Sequence, residues 1–148
     1  MNFFLKAITA VTLLLTAPAT SMMHINRGTF GYEVPVQDHK LWFSCSGVKY
    51  ENEYLFRVLH HAYPRIHSDS SYPVPIDRVI YKRRPEYYLF PLLTNGEIYD
   101  LDTHQNHYLV FNVDGEIMGG YEVIPDRYNP KSTVCVYPKN LRYLQQNW

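Results

Sequence analysis

Residues 86–123 read EYYLFPLLTNGEIYDLDTHQNHYLVFNVDGEIMGGYEV, and the fold class turns on this stretch. It holds three apolar, aromatic-rich runs, 87–93, 108–113 and 116–123, separated by the turn signals Thr94-Asn95-Gly96 and Asp114-Gly115. Short runs of this kind, bounded by such residues, are strands. Asp-Gly between two of them is a strong hairpin signal, because both residues tolerate the positive φ that a type I′ turn demands. Pro91 limits the first strand, since proline has no N–H to give to a ladder. Together the runs form the middle of an antiparallel sheet.

Upstream, residues 22–44 read as a hairpin arm, with β-prone segments 29–34 and 41–44 and the turn at Gln37-Asp38-His39-Lys40. After Cys45 the period changes. Within 51–63, Leu55, Val58, Leu59 and Ala62 recur at the spacing of one helix face, with Glu51 or Asn52 at the start and Pro64 at the end. This is the single substantial helix. His60 and His61 fall in its last turn, where the helix dipole favours a cation. Residues 65–75 are loop, 77–81 a short strand, and Lys82-Arg83-Arg84-Pro85 a basic turn. Residues 132–137 form a last strand, and Leu141 and Leu144 suit a short helical turn within 139–148. The class is therefore α+β, one helix packed on a central antiparallel sheet with an N-terminal β-hairpin.

Residues 1–20 have the form of a signal peptide: Lys6, an apolar run from 7 to 16, and small residues at Ala17-Pro18-Ala19. That leaves a single domain at 21–148, about 128 residues, with nothing apolar enough to span a membrane. The whole chain carries 14 basic and 14 acidic residues, so overall charge does not point to nucleic acid. The 14 tyrosines suit a sheet core and a contact surface alike. Cys45 and Cys135 are the only 2 cysteines, and an even count in an oxidising compartment implies a disulfide. The polar segment 100–107 holds two Asp and two His, but the spacing matches no recognised metal site, and no metal or cofactor is expected.

The central stretch resembles the sheet of the small secreted guanyl-specific ribonucleases of filamentous fungi. Tyr87-Tyr88-Leu89-Phe90-Pro91, Leu109-Val110-Phe111-Asn112 and Met118-Gly119 match that family's strands in order and nearly in spacing. The family's Tyr-Pro-His segment is similar to Tyr72-Pro73-Val74. The resemblance implies RNA cleavage by an opposed base and acid with an Arg to steady the phosphorane. Position by position, however, one His has become Val74, the Glu Leu89, the Arg Tyr108, and the second His Val123 or its neighbour. Valine and leucine have no titratable group, and tyrosine titrates near about 10. The guanine-reading loop also has no match in Pro75-Ile76-Asp77. The expectation is a pseudo-ribonuclease with no catalytic residue. Glu86, Glu97, Glu122, His67, His104 and His107 remain for a relocated acid–base pair, with Glu122 and His107 the first to replace. The pattern places none of these opposite another, and alternation turns Glu122 to the other face of its strand.

A signal peptide, the aromatic-x-Cys motif Phe43-Ser44-Cys45, one helix and a late Cys135 together resemble the ribonuclease-like secreted effectors of powdery mildew fungi, which are associated with haustoria. That resemblance implies a secreted monomer delivered to the host cell cytoplasm. It also implies virulence exerted by binding a host plant protein, with an immune receptor among the candidates. The alternative is a non-cleaving RNA binder. Arg78, Lys82, Arg83 and Arg84 would neutralise phosphates while Tyr72, Tyr81, Tyr87 and Tyr108 offer rings to bases. A second alternative is an active ribonuclease with relocated catalytic residues.

Overall fold

The computed structural model describes residues 31–83, 85–100, 104–138 and 142–143. Residues 1–20, expected to be a signal peptide, Thr29 and Phe30, Arg84, and Leu141 and Leu144, expected in a tail turn, lie outside them. In chain order come β1 (Trp42–Cys45), β2 (Val48–Glu51), α1 (Asn52–Ala62) running into a 3₁₀ turn (Tyr63–Arg65), β3 (Val74–Ile76), β4 (Tyr87–Pro91), β5 (His107–Asn112), β6 (Ile117–Ile124) and β7 (Lys131–Val134). The last five form one sheet in the order β3-β4-β5-β6-β7, each strand antiparallel to the next, and β1 and β2 form a separate hairpin. The α+β class, with one helix on an antiparallel sheet and a hairpin ahead of it, is as the sequence indicates.

The helix buries Leu55, Val58, Leu59 and Ala62, the four residues its periodicity marks. They pack on Phe90, Leu92, Leu109, Phe111 and Ile117 from one face of the sheet, and Phe43, Cys45 and Tyr50 of the hairpin extend the same core. Glu51 occupies the N-cap without making a side-chain cap; its carboxylate pairs instead with Lys49 at 2.8 Å. The opposite face of the sheet is covered as well. Tyr87, Val110, Met118 and Tyr121 lie buried there beneath Val34, Val79 and Tyr81.

Cys45 and Cys135 are joined by a disulfide. Ser44 and Val136 exchange backbone hydrogen bonds of 2.9 Å beside it, so the hairpin and the end of the sheet are held both covalently and by a ladder. The approach is close. A Cβ at Gly120 of β6 would lie 2.3 Å from the Phe43 ring and 2.8 Å from Cys135 Cβ. Only a residue without a side chain lets the hairpin settle at this distance.

Three local expectations are corrected. Segment 41–44 is a strand, but its partner is β2, not the segment before Pro35; Tyr32 instead bridges Tyr81, and Pro35 bridges Tyr143. The hairpin turns at Ser46-Gly47, a two-residue loop in which both residues have positive φ (44° and 80°), the type I′ pattern. At Asp114-Gly115 only Gly115 has positive φ (75°). There the loop is one residue longer and is organised by buried Asn112. Its Oδ1 accepts from the Asp114 and Glu116 amides at 3.1 and 2.9 Å, and its Nδ2 donates to Glu116 Oε2. Finally, the strand expected at 77–81 is displaced upstream. The ladder onto β4 runs from Val74 to Ile76, and Tyr81 makes an isolated backbone bridge to Tyr32.

Candidate functional site

The register of the sheet gathers on one face the four positions that the ribonuclease resemblance sets against catalytic groups. Val74 of β3 lies directly opposite Leu89 of β4, and Leu89 opposite Val110 of β5. Tyr108, two residues from Val110, faces Tyr121 of β6, and Val123 follows Tyr121 by two. Side chains two apart on a strand share a face, so all four look away from the helix. Leu89, Tyr108 and Val123 pack against the second core and are half-buried. Tyr72 joins them from the loop before β3, its ring 6.2 Å from that of Tyr108 and 5.6 Å from that of Tyr99. The Tyr108 hydroxyl donates to the Gln105 carbonyl at 2.7 Å. Burial first, then the neighbouring Tyr72 hydroxyl, pushes its pKa up to about 12. At neutral pH these side chains present hydrocarbon and neutral phenols.

The basic and aromatic residues of the second expectation do not form one open surface. Tyr81 and Tyr87 are 1% and 6% exposed, their rings packed edge to face at 5.2 Å. Neither offers a ring face to a base from this position. The Tyr87 hydroxyl donates to the Arg83 carbonyl at 2.9 Å and to the Tyr81 carbonyl at 3.2 Å, which ties the loop down. Lys82 pairs with Glu33. Arg83 donates to Glu116 at 2.8 Å, the same Glu116 that Asn112 holds in the hairpin loop. Arg78 is exposed, without an ion pair among the described residues, and Arg84 lies outside them. Two of the three described cations are therefore already neutralised by carboxylates.

A polar constellation that pattern reading did not assemble lies on the other face of the sheet. His107 and Glu122 are opposite each other across β5 and β6, with Nε2 and Oε1 3.4 Å apart and both side chains largely buried. The His107 Nδ1 is 2.7 Å from the Tyr50 hydroxyl, and the Ser46 hydroxyl donates to Glu122 Oε1. Alternation does turn Glu122 away from Val123, as the sequence indicates. What the sequence missed is that β5 brings His107 to meet it, since the register of β5 on β6 includes a bulge between Val110 and Phe111. The Tyr50 pKa is raised by burial, then by Tyr54 and Glu122. The network ties the hairpin turn and β2 to the sheet.

Among the other groups considered, Asp100 and His104 are exposed, and no cluster of three metal-ligating side chains occurs among the described residues. Among the described residues no helix is long and apolar enough to cross a membrane. The chain matches no protein-family model and no curated protein sequence.

Proposed function

We propose that this chain is a secreted, catalytically inactive ribonuclease-like effector of a powdery mildew fungus that acts in the host cell by binding a host plant protein. One observation carries the reading. Val74, Leu89, Tyr108 and Val123 lie on one sheet face, where the resembled enzymes carry their proton-transfer groups and Arg. That face has become hydrocarbon and phenol. It offers no group that exchanges a proton near neutral pH and no charge for a phosphorane, yet it suits apolar contact. The non-cleaving RNA-binding alternative is less well supported. Lys82 and Arg83 are paired with carboxylates, and Tyr81 and Tyr87 are buried.

The test is affinity purification from plant tissue expressing the mature chain, beside RNA binding measured across a salt series. The account expects a host protein recovered with the wild type and lost when the Leu89 face is made charged by Leu89→Asp. Steeply salt-dependent RNA binding, with no protein recovered, would favour the alternative.

A further inference from the structure

The five-stranded sheet ends in two edges, β3 and β7, and the register leaves them in different states. In an antiparallel ladder, residues along a strand turn their N–H and C=O alternately to one neighbour and the other. The Leu92 amide donates to the His107 carbonyl and the Val113 amide to that of Glu86, so the even-numbered residues of β4 serve β5. Tyr87 and Leu89 then serve β3. Their partners are Ile76 and Val74, which leaves Pro75 facing outward. Proline has no N–H, so the β3 edge offers no donor. At β7 the Cys135 amide donates to the Gly120 carbonyl at 2.9 Å, which sets Lys131 and Thr133 toward β6 and Ser132, Val134 and Val136 outward. Val136 is already paired, through two 2.9 Å bonds exchanged with Ser44 of β1. The same ladder would set Val134 beside Ser46, but there β1 turns back into its hairpin, with Ser46 at φ 44°. Ser132 and Val134 therefore have no outward backbone partner among the described residues; only the Thr133 hydroxyl approaches the Val134 carbonyl, at 3.5 Å.

An open ladder of this kind pairs with extended chain. A second copy does not fit. Laid antiparallel with Ser132 facing Val134 of the other copy, it would bring Pro130 to the place beside Val136 that Ser44 fills. Shifting the register by two puts residue 128 or 132 there instead. A nucleic acid has no row of amide donors and acceptors to complete the edge. Charge narrows the choice further. Arg127 and Lys131 flank the open positions, both exposed and without an ion pair among the described residues. Asp126 is the one carboxylate of segment 125–134, and it accepts from the Tyr128 and Asn129 amides at 2.8 and 3.2 Å. The edge is thus net positive and favours an acidic segment. Tyr128, 89% exposed, stands at its end as a contact for a side chain of that segment.

We propose that β7 accepts an extended, acidic segment of a protein partner as a sixth strand, held by the backbone of Ser132 and Val134 and flanked by Arg127 and Lys131. This rests on the protein-binding function proposed above and gives that partner a point of attachment besides the Leu89 face. The mature chain is titrated with acetyl-Glu-Val-Thr-Val-Glu-amide while its backbone amide resonances and their hydrogen exchange are followed. The same peptide N-methylated at its three central amides, its Lys-for-Glu version and oligouridylate serve as comparisons. Saturable shifts centred on residues 131–136 are expected for the acidic peptide, with slowed exchange at the Ser132 and Val134 amides. Ser132→Pro removes an outward N–H that the β6 ladder does not use, and is expected to weaken binding about tenfold. Arg127→Glu with Lys131→Glu is expected to reverse the preference toward the Lys peptide. Absence of saturable binding by the acidic peptide, or equal binding by the N-methylated peptide or oligouridylate, would overturn the proposal. So would concentration-dependent shifts of the same residues without peptide, which would mark a second copy as the occupant. If the peptide fails while a host protein is still captured, the edge is refuted and the protein-binding function stands. If the peptide binds and no host protein is captured, the edge stands without that function.

Discussion

At His61 two residue-scale effects oppose each other. The last turn of a helix favours a cation, but the His61 ring packs edge to face on Phe90 at 5.7 Å, and burial with nearby Arg65 lowers its pKa. Burial wins. The sign follows from linkage. A histidine with a lowered folded pKa binds its proton first in the unfolded chain, so stability falls as pH drops below the unfolded value of about 6.5. The loss continues until pH passes the lowered folded value. Thermal melts between about pH 7 and about pH 5 should show this decline, and His61→Gln should flatten it. The polar network gives a second residue-scale prediction. Tyr50→Phe removes the hydroxyl facing His107 Nδ1 and should cost about 1–2 kcal/mol, while Glu122→Ala takes the carboxylate from both the Ser46 hydroxyl and His107 Nε2 and should cost about 2–4 kcal/mol, both read from urea unfolding. Equal effects would mean that Glu122 is not the centre of the network. The helix face was legible because periodicity depends on residues a few apart. The His107–Glu122 pairing was not, because it depends on the register of two strands across a bulge.

At the scale of elements, the hairpin shows where local signals mislead. Ser-Gly at 46–47 carries the type I′ turn, while Asp114-Gly115 belongs to a longer loop set by the Asn112 side chain. Both dipeptides permit positive φ; which loop length forms is decided by strand pairing and by the side chains around it. The displaced third strand has a similar cause, since Tyr81 is drawn into packing with Tyr87 and Tyr32 and not into a ladder. The joint between hairpin and sheet is testable. Loss of the disulfide, 90 residues apart in sequence, should cost about 2–5 kcal/mol, with Cys45→Ser matching Cys135→Ser. Gly120→Ala places a methyl group against Phe43 and Cys135 and should cost about 1–3 kcal/mol with the disulfide still formed. A Gly120→Ala variant as stable as the wild type would show that the hairpin sits farther from β6.

For the whole molecule, the distribution of charge matters more than its balance. The basic turn looks like a phosphate grip in sequence, but Glu33 and Glu116, 49 and 33 residues from their partners, take up Lys82 and Arg83. Only the folded chain reveals those partners. With Arg78 and Arg84 as the remaining basic side chains of this region, single-stranded RNA binding should show a log–log salt slope no steeper than about −1.4, using roughly −0.7 per phosphate contact. A slope near −3 would mean that the ion pairs open to bind phosphate. The central claim is the absence of cleavage, since groups that act as a unit leave little catalysis when several are lost together. The most direct measurement is incubation of the purified mature chain with guanylate-containing RNA from about pH 5 to about pH 8, beside an active fungal guanyl ribonuclease. The account predicts intact RNA throughout. Turnover yielding 2′,3′-cyclic phosphate ends, retained through purification and abolished by Glu122→Gln or His107→Gln, would contradict it and place a working acid–base pair on the other face of the sheet.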